Sequence, residues 1–179
     1  MNTFSDPHKI IAQLDITPNL HIADLGSGSG SYVLELGKKL KGSASAKVFA
    51  VDVQKELLNR IKQHAEDQHL NSIHIIWGDI EEEHGSRLRH DSIDMVIIAN
   101  TLFQVENKVG LIKEARRILK PGGKLVLVDW SESFGNIGPK NSKVISEETA
   151  KLLCEEHGFS FDRTLEAGEH HYGFVTRKF

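Results

Sequence analysis

The chain has 179 residues, 39% of them hydrophobic and 26% charged, a balance that supports one buried core and excludes an intrinsically disordered chain. Its formal net charge of -3 excludes the strongly basic footprint of a dedicated nucleic-acid binder. The lone cysteine, Cys154, excludes an internal disulfide and fits a reduced thiol in a cytoplasmic protein, and no apolar run is long enough to span a bilayer.

The opening stretch MNTFSDPHKIIAQLDI lacks the basic start and apolar run of a leader. The expectation is a soluble, unprocessed chain forming a single domain over 1–179, with a short helical segment at about 1–20. From there on, short apolar runs rich in β-branched residues alternate with amphipathic segments, the signature of βαβ units around a parallel sheet. A helix over 7–14 leads to a strand over 21–24, a glycine turn and a helix over 31–41. A strand over 47–52 is followed by a helix over 55–69, where Leu57, Leu58, Ile61 and Ala65 recur at helical spacing. A strand over 73–77 comes next, and the segment 78–91 is too charged to be core. The apolar run in the strand over 93–99 suits burial on both faces, which makes it central. A helix over 108–119 stops at Lys120-Pro121-Gly122-Gly123, where proline and glycine break it, and a strand over 124–130 follows directly. Residues 131–145 read as an irregular loop, Ser146 caps a last helix, and closing strands over 159–165 and 171–177 are joined by a turn near Gly168. No internal repeat is present.

The strongest local signal runs from Ile22 to Tyr32, a strand ending in Asp24 that passes straight into Gly26-Ser27-Gly28-Ser29-Gly30 ahead of a helix. Glycines let the backbone approach a ligand, and free N–H groups at a helix start favour a carboxylate or phosphate. A tight strand-to-helix turn by itself explains one glycine, not three in step. The spacing is GxGxG and not the dinucleotide GxGxxG, and the charge of Asp24 would repel a pyrophosphate yet could hold an ammonium group. A nucleotide cofactor with a free amino-acid end suits this better than NAD. Asp52 closes the second strand, just before Val53, where an acid can accept both ribose hydroxyl protons or merely cap the next helix. Asp79 follows the third strand, where it could accept from an exocyclic amine while Ile80 offers an N–H and an apolar face to a purine. All three acids close strands at one edge of a parallel sheet, where such sheets bind ligands.

These residues resemble the class I S-adenosylmethionine-dependent methyltransferases, and within them the type-11 group that includes the ubiquinone and menaquinone biosynthesis C-methyltransferases. The matching blocks are Asp24-Leu-Gly-Ser-Gly-Ser-Gly30, Val51-Asp52-Val53, Gly78-Asp79, Asp94-Met-Val-Ile-Ile-Ala-Asn100 and Glu114-Ala-Arg-Arg-Ile-Leu-Lys-Pro-Gly-Gly-Lys124, and the resemblance extends over nearly the whole chain. The resemblance implies an α/β, Rossmann-like doubly wound seven-stranded sheet of order 3-2-1-4-5-7-6 with strand 7 antiparallel. It also implies S-adenosyl-L-methionine as cofactor. Asp24 would anchor its amino group, Gly26, Ser27, Gly28 and Gly30 would form the floor under its methionine end beside Tyr32, Asp52 with Val53 would hold the ribose, and Asp79 with Ile80 the adenine. Asn100 would border the methionine part and the acceptor.

Methyl transfer from a sulfonium is an in-line displacement that needs alignment and exclusion of water more than a protein nucleophile. The residues name no catalytic group: Gln104, Asp129, Trp130, His170, His171 and Tyr172 are candidates for a base or an acceptor contact by position alone. His170 and His171 are not a metal site, because neighbours in a strand face opposite ways. The expected acceptor is a small molecule, with no membrane insertion and no nucleic-acid signal. Asn100-Thr-Leu-Phe103 lacks the Asn-Pro-Pro-aromatic pattern of amino-group methyltransferases acting on adenine or glutamine. The rival readings are a cofactor-binding regulatory subunit without its own transfer activity and, last, an NAD-dependent oxidoreductase.

Overall fold

A computed structural model describes residues 5–135 and 137–179; of the expected helical segment at 1–20, residues 1–4 lie outside the described residues. The described chain runs through α1 (Pro7–Ala12), β1 (His21–Leu25), α2 (Ser31–Lys39), β2 (Lys47–Asp52), α3 (Lys55–Asp67), β3 (Ile73–Trp77) and β4 (Ile93–Ala99). It continues through α4 (Lys108–Ile118), β5 (Leu119–Trp130), α5 (Glu147–Glu156), β6 (Phe159–Leu165) and β7 (His171–Lys178). Local chemistry sets several of these starts. Asp6 caps α1 by accepting from the His8 N–H at 3.0 Å, and Pro7 occupies the first turn, where its missing N–H costs nothing. Asn107 caps α4 through the Gly110 N–H at 2.9 Å, and Ser146 caps α5 through the Thr149 N–H at 3.2 Å.

The seven strands form one sheet in the order β3-β2-β1-β4-β5-β7-β6. β1 pairs in parallel with β2 and β4, β2 with β3 and β4 with β5, while β7 is antiparallel to both β5 and β6. Alternate residues therefore supply two cores. Ile22, Val48, Met95 and Val126 pack with α1, α2 and α3 on one face, and Ala23, Val96, Leu127 and Phe174 pack with α4 and α5 on the other. The central strands β1 and β4 are largely buried, as the apolar run in β4 predicts, whereas β3 at the sheet edge is only partly buried.

Several boundaries differ from the sequence reading; α1, for one, ends at Ala12 and not at residue 14. α2 ends at Lys39 and α3 at Asp67, each about one turn or less early. β5 begins at Leu119 and not at residue 124, because Leu119 takes an extended backbone, buries its side chain and pairs with Ile93. A register shift between Ile93 and Met95 absorbs the Pro121-Gly122-Gly123 step. The charged segment 78–91 differs as well: it contributes Ile80 to the core and buries Ser86 completely. Its N–H and hydroxyl both donate to the Glu114 carboxylate, which also receives the Arg117 guanidinium at 2.7 Å. Burial alone would raise the pKa of Glu114, but Arg117 and Ser86 outweigh it and hold that carboxyl below the usual range.

Candidate functional site

The parallel strands all end at one edge of the sheet, and the antiparallel β7 starts there, so Asp24, Asp52, Trp77, Asn100, Trp130 and His171 come from different parts of the sequence to a common rim. The glycine turn after β1 lies across this rim. Gly26, Gly28 and Gly30 have φ of 79, 50 and 82°, the left-handed region that favours glycine. The turn is tied to the end of β2: the N–H groups of Gly26 and Ser27 both donate to the Val51 carbonyl, at 2.9 and 3.1 Å, and the Gly28 N–H donates to Asp52 Oδ2 at 2.8 Å. These amides are spent within the protein, whereas the free donors expected from the sequence belong to the start of the following helix. Among the described residues the uncommitted N–H groups are those of the first turn of α2, whose cap residue Gly30 offers no side-chain hydrogen bond.

Beside the turn lies a cavity of about 360 Å³ lined by Gly26, Gly28, Asp52, Val53, Gln54, Leu57, Asp79, Ile80, Glu81, Thr101, Gln104 and Val105. Six of the residues singled out from sequence for the cofactor, Gly26, Gly28, Asp52, Val53, Asp79 and Ile80, meet here. Gln104, a candidate acceptor contact, joins them. The two carboxylates differ in setting: Asp52 is 6% exposed and also accepts from the Gln54 N–H at 2.8 Å, while Asp79 stands exposed and turns one oxygen to the Glu81 N–H at 3.0 Å. A Cβ on Gly28 would meet only the Gly26 carbonyl oxygen, at 3.9 Å, so the space above Gly28 is open.

The other sequence candidates stand outside this lining. A Cβ on Gly30 would lie 2.5 Å from Ile61 Cγ1, which gives Gly30 the task of letting α2 pack against α3. Tyr32 is buried, its hydroxyl 3.1 Å from Ser5 Oγ, and burial pushes it up to about 12; it joins α2 to the start of α1. Ser27 is buried with its hydroxyl toward the Val51 carbonyl. Asp24 is 2% exposed, and burial followed by the neighbouring charge of Asp52 raises its pKa to about 7. Among the described residues no hydrogen-bond donor offsets that burial. Asn100 holds a left-handed φ of 52°, accepts from Gln104 Nε2 at 2.6 Å through its backbone carbonyl, and keeps a buried Oδ1 without a partner among the described residues. A raised, unpaired carboxyl and an orphaned amide oxygen flanking an open turn are groups that a ligand with an ammonium end would satisfy.

Thr101, Gln54, Glu81 and Val105 also line the cavity and carry no sequence signal, because each lies outside the helices and strands, and Leu57 reaches it from the first turn of α3. Thr101 fixes the choice at Gly26: a Cβ there would lie 2.6 Å from Thr101 Cγ2.

A second cavity, of about 550 Å³, opens at the same edge between α1, the β6–β7 turn and the start of α5, with Asp6, Lys9, Gln13, Glu147, His171 and Tyr172 on its walls. The ring of His171 lies against Trp130, centroids 4.2 Å apart, and burial followed by the adjacent His170 lowers its pKa to about 4. Both its ring nitrogens and the Tyr172 hydroxyl are buried without partners among the described residues. His170 is engaged elsewhere, with Nδ1 2.7 Å from Glu132 and its ring stacked on Phe134. Asp129, a candidate base by position, is 1% exposed with its carboxylate turned to backbone amides, so it presents no free oxygen to an acceptor. Among the described residues no group of three or more His, Cys, Asp or Glu is arranged to hold a metal ion.

Against known proteins, a family model described as a methyltransferase domain matches residues 16–168. The chain is 35% identical over 119 residues to the ubiquinone/menaquinone biosynthesis C-methyltransferase of Rickettsia prowazekii, covering 64% of this chain and 47% of that protein. It is 28% identical over 109 residues to the demethylmenaquinone methyltransferase of Oceanobacillus iheyensis, covering 61% of this chain and 44% of that protein. The matched region thus spans less than half the length of these curated relatives. A SAM dependent methyltransferase from Aquifex aeolicus shares the fold with a TM-score of 0.87 at 24% identity, over 99% of this chain and 92% of that one.

Proposed function

This chain belongs to the class I S-adenosylmethionine-dependent methyltransferases, and on that premise we propose that it moves the methyl group of S-adenosylmethionine to a small-molecule acceptor. The observation that carries this reading is the cavity of about 360 Å³ beside an open Gly28, with two strand-terminal carboxylates on its wall. Asp52 takes the ribose hydroxyls, Asp79 and Ile80 take the adenine, and Val53 flanks the sugar. Gly26, Ser27 and Gly28 form the floor, Asp24 faces the ammonium group, and Asn100 borders the methionine end. Gly30 and Tyr32 belong to the scaffold that holds this floor in place.

The cofactor supplies an electrophilic methyl group; the protein's part is to hold cofactor and acceptor in line and to keep water out. The cavity of about 550 Å³ on the acceptor side of the rim is of the size that holds a small molecule. His171 on its wall is neutral at pH 7, which suits an acceptor that is oriented by hydrogen bonds and not by charge. A second reading, a cofactor-binding partner subunit without transfer activity of its own, is favoured by one observation: of the candidate bases read from the sequence, Asp129 is spent on backbone amides and the Tyr172 hydroxyl is buried. Methyl transfer to any acceptor in a product screen separates the two.

We assign the whole chain to one domain and place it in the cytoplasm. No helix among the described residues is long and apolar enough to cross a membrane. Burial also pushes the Cys154 thiol up to about 12, an inert group suited to a reducing compartment. The test of the cofactor site is calorimetric titration with S-adenosylmethionine, and separately with NAD. Saturable binding of the first alone is expected, and Asp52→Ala should weaken it by about 1 to 3 kcal/mol, through loss of charge-assisted hydrogen bonds. Unchanged affinity in a folded Asp52→Ala protein, or binding of NAD alone, overturns the assignment.

A further inference from the structure

Asp129 is the next-to-last residue of β5, on the far side of β4 from the glycine turn, yet its side chain is joined to the cavity by a continuous set of contacts. One carboxylate oxygen accepts from the Trp130 N–H at 2.8 Å and the other from the Phe103 N–H at 3.2 Å, with the Leu102 N–H also turned toward it. Leu102 and Phe103 form the middle of the turn after β4, which closes where the Gln104 N–H meets the Thr101 carbonyl at 2.9 Å. That turn contributes Thr101 and Gln104 to the cavity lining. Thr101 in turn sits against Gly26, its hydroxyl shared between the carbonyls of Ala99 at 3.0 Å and Gly26 at 3.4 Å.

We propose that Asp129 is a positioning residue: its ionised carboxylate holds the 101–104 turn against Gly26, shapes the wall that Thr101 and Gln104 give the cavity, and makes cofactor affinity fall when it takes up a proton. The proposal rests on reading that cavity as the cofactor site. A neutral carboxyl carries one good acceptor oxygen in place of two charged ones, so the amides of Leu102 and Phe103 lose their charge-assisted partner. Burial raises the Asp129 pKa to about 6, while the three amides and Lys108 at the start of α4 pull it back. Lys108 is itself held by the Val105 carbonyl at 2.7 Å, just beyond the turn. Across the sheet Asp129 pairs with Tyr172 of β7, whose buried hydroxyl stays protonated, and Glu147 of α5 faces Tyr172 from behind. Asp24 on β1 titrates in a nearby range, so the probe has to leave its contact out.

That probe is 5′-methylthioadenosine, which keeps the adenosine and lacks the amino-acid end that Asp24 would face. Its affinity for the wild-type protein should fall roughly tenfold between pH 7.5 and pH 5, with a midpoint near 6. Asp129→Asn should bind it roughly tenfold more weakly at pH 7.5 and show no such midpoint, because it carries no proton to gain. In the unaltered protein the amide protons of Leu102 and Phe103, followed by NMR, should move with that same midpoint; this reading decides the matter if Asp129→Asn does not fold. Level wild-type affinity, amides that do not titrate, or an Asp129→Asn protein that binds as wild type does would each overturn the positioning role alone. Failure of wild type to bind either S-adenosylmethionine or the probe at pH 7.5 would instead remove the cofactor reading on which it stands.

Discussion

A Cβ on Gly28 would meet only the Gly26 carbonyl oxygen, at 3.9 Å, whereas one on Gly30 would lie 2.5 Å from Ile61 Cγ1. The two glycines look alike in the sequence, yet Gly28 faces the cavity and Gly30 the core. Gly28→Val should therefore still fold, at a cost of about 1 to 2 kcal/mol for a side chain held at left-handed φ, and lose cofactor binding. Gly30→Ala should lose a further 1 to 3 kcal/mol, roughly, from overpacking against α3. Urea unfolding of both variants beside calorimetric titration checks this; a folded Gly28→Val protein with undiminished affinity would contradict the site. Asp24 carries a prediction in pH. Its folded pKa, about 7, lies above its ordinary value of 3.8, so ionising it works against the fold: its contribution to stability is full below about pH 3.8 and is lost as pH rises through about 7. Binding of an ammonium group requires the ionised form. The affinity ratio of S-adenosylmethionine to 5′-methylthioadenosine should accordingly rise between pH 6 and pH 8, and Asp24→Asn should flatten it.

At the scale of elements, the apolar periodicity marks every helix and strand, because each must cover one side of the sheet. Boundaries are less legible. Lys120-Pro121-Gly122-Gly123 signals a break, but only the pairing of Leu119 with Ile93 decides that the strand begins before it. The charge of segment 78–91 hides Ser86, which is buried only because Glu114 and Arg117, one helical turn apart on α4, close over it. Glu114→Ala should cost about 3 to 5 kcal/mol, since it leaves the Arg117 guanidinium buried without its anion. Chemical denaturation measures this, and a loss under about 1 kcal/mol would show that the charge is reached by water. As the pKa of Glu114 is held below its ordinary 4.5, its contribution is present above that pH and lost as pH falls through the lower folded value.

For the molecule as a whole, a ligand bound only by the folded state stabilises it by mass action. S-adenosylmethionine at about 100 times its dissociation constant should add about 2.7 kcal/mol, a rise of roughly 5 to 10 °C in Tm for a chain of this size. Thermal unfolding with and without it is the check, and no shift at saturation would speak against specific binding. The sequence by itself determined the class of fold and the glycine turn with its acids, because β-branched runs, amphipathic spacing and three alternate glycines are local consequences of backbone and solvent. It also marked Asp52 and Asp79, since a residue closing a parallel strand can only lie at the binding edge of the sheet. Only the tertiary structure decided that the turn amides are spent on Val51 and Asp52, that Gly30 serves packing, that Thr101 and Val105 complete the wall, and that Asp129 faces amides instead of an acceptor. Each of these depends on which distant residue a side chain meets, and strand order and register, not local sequence, set those meetings.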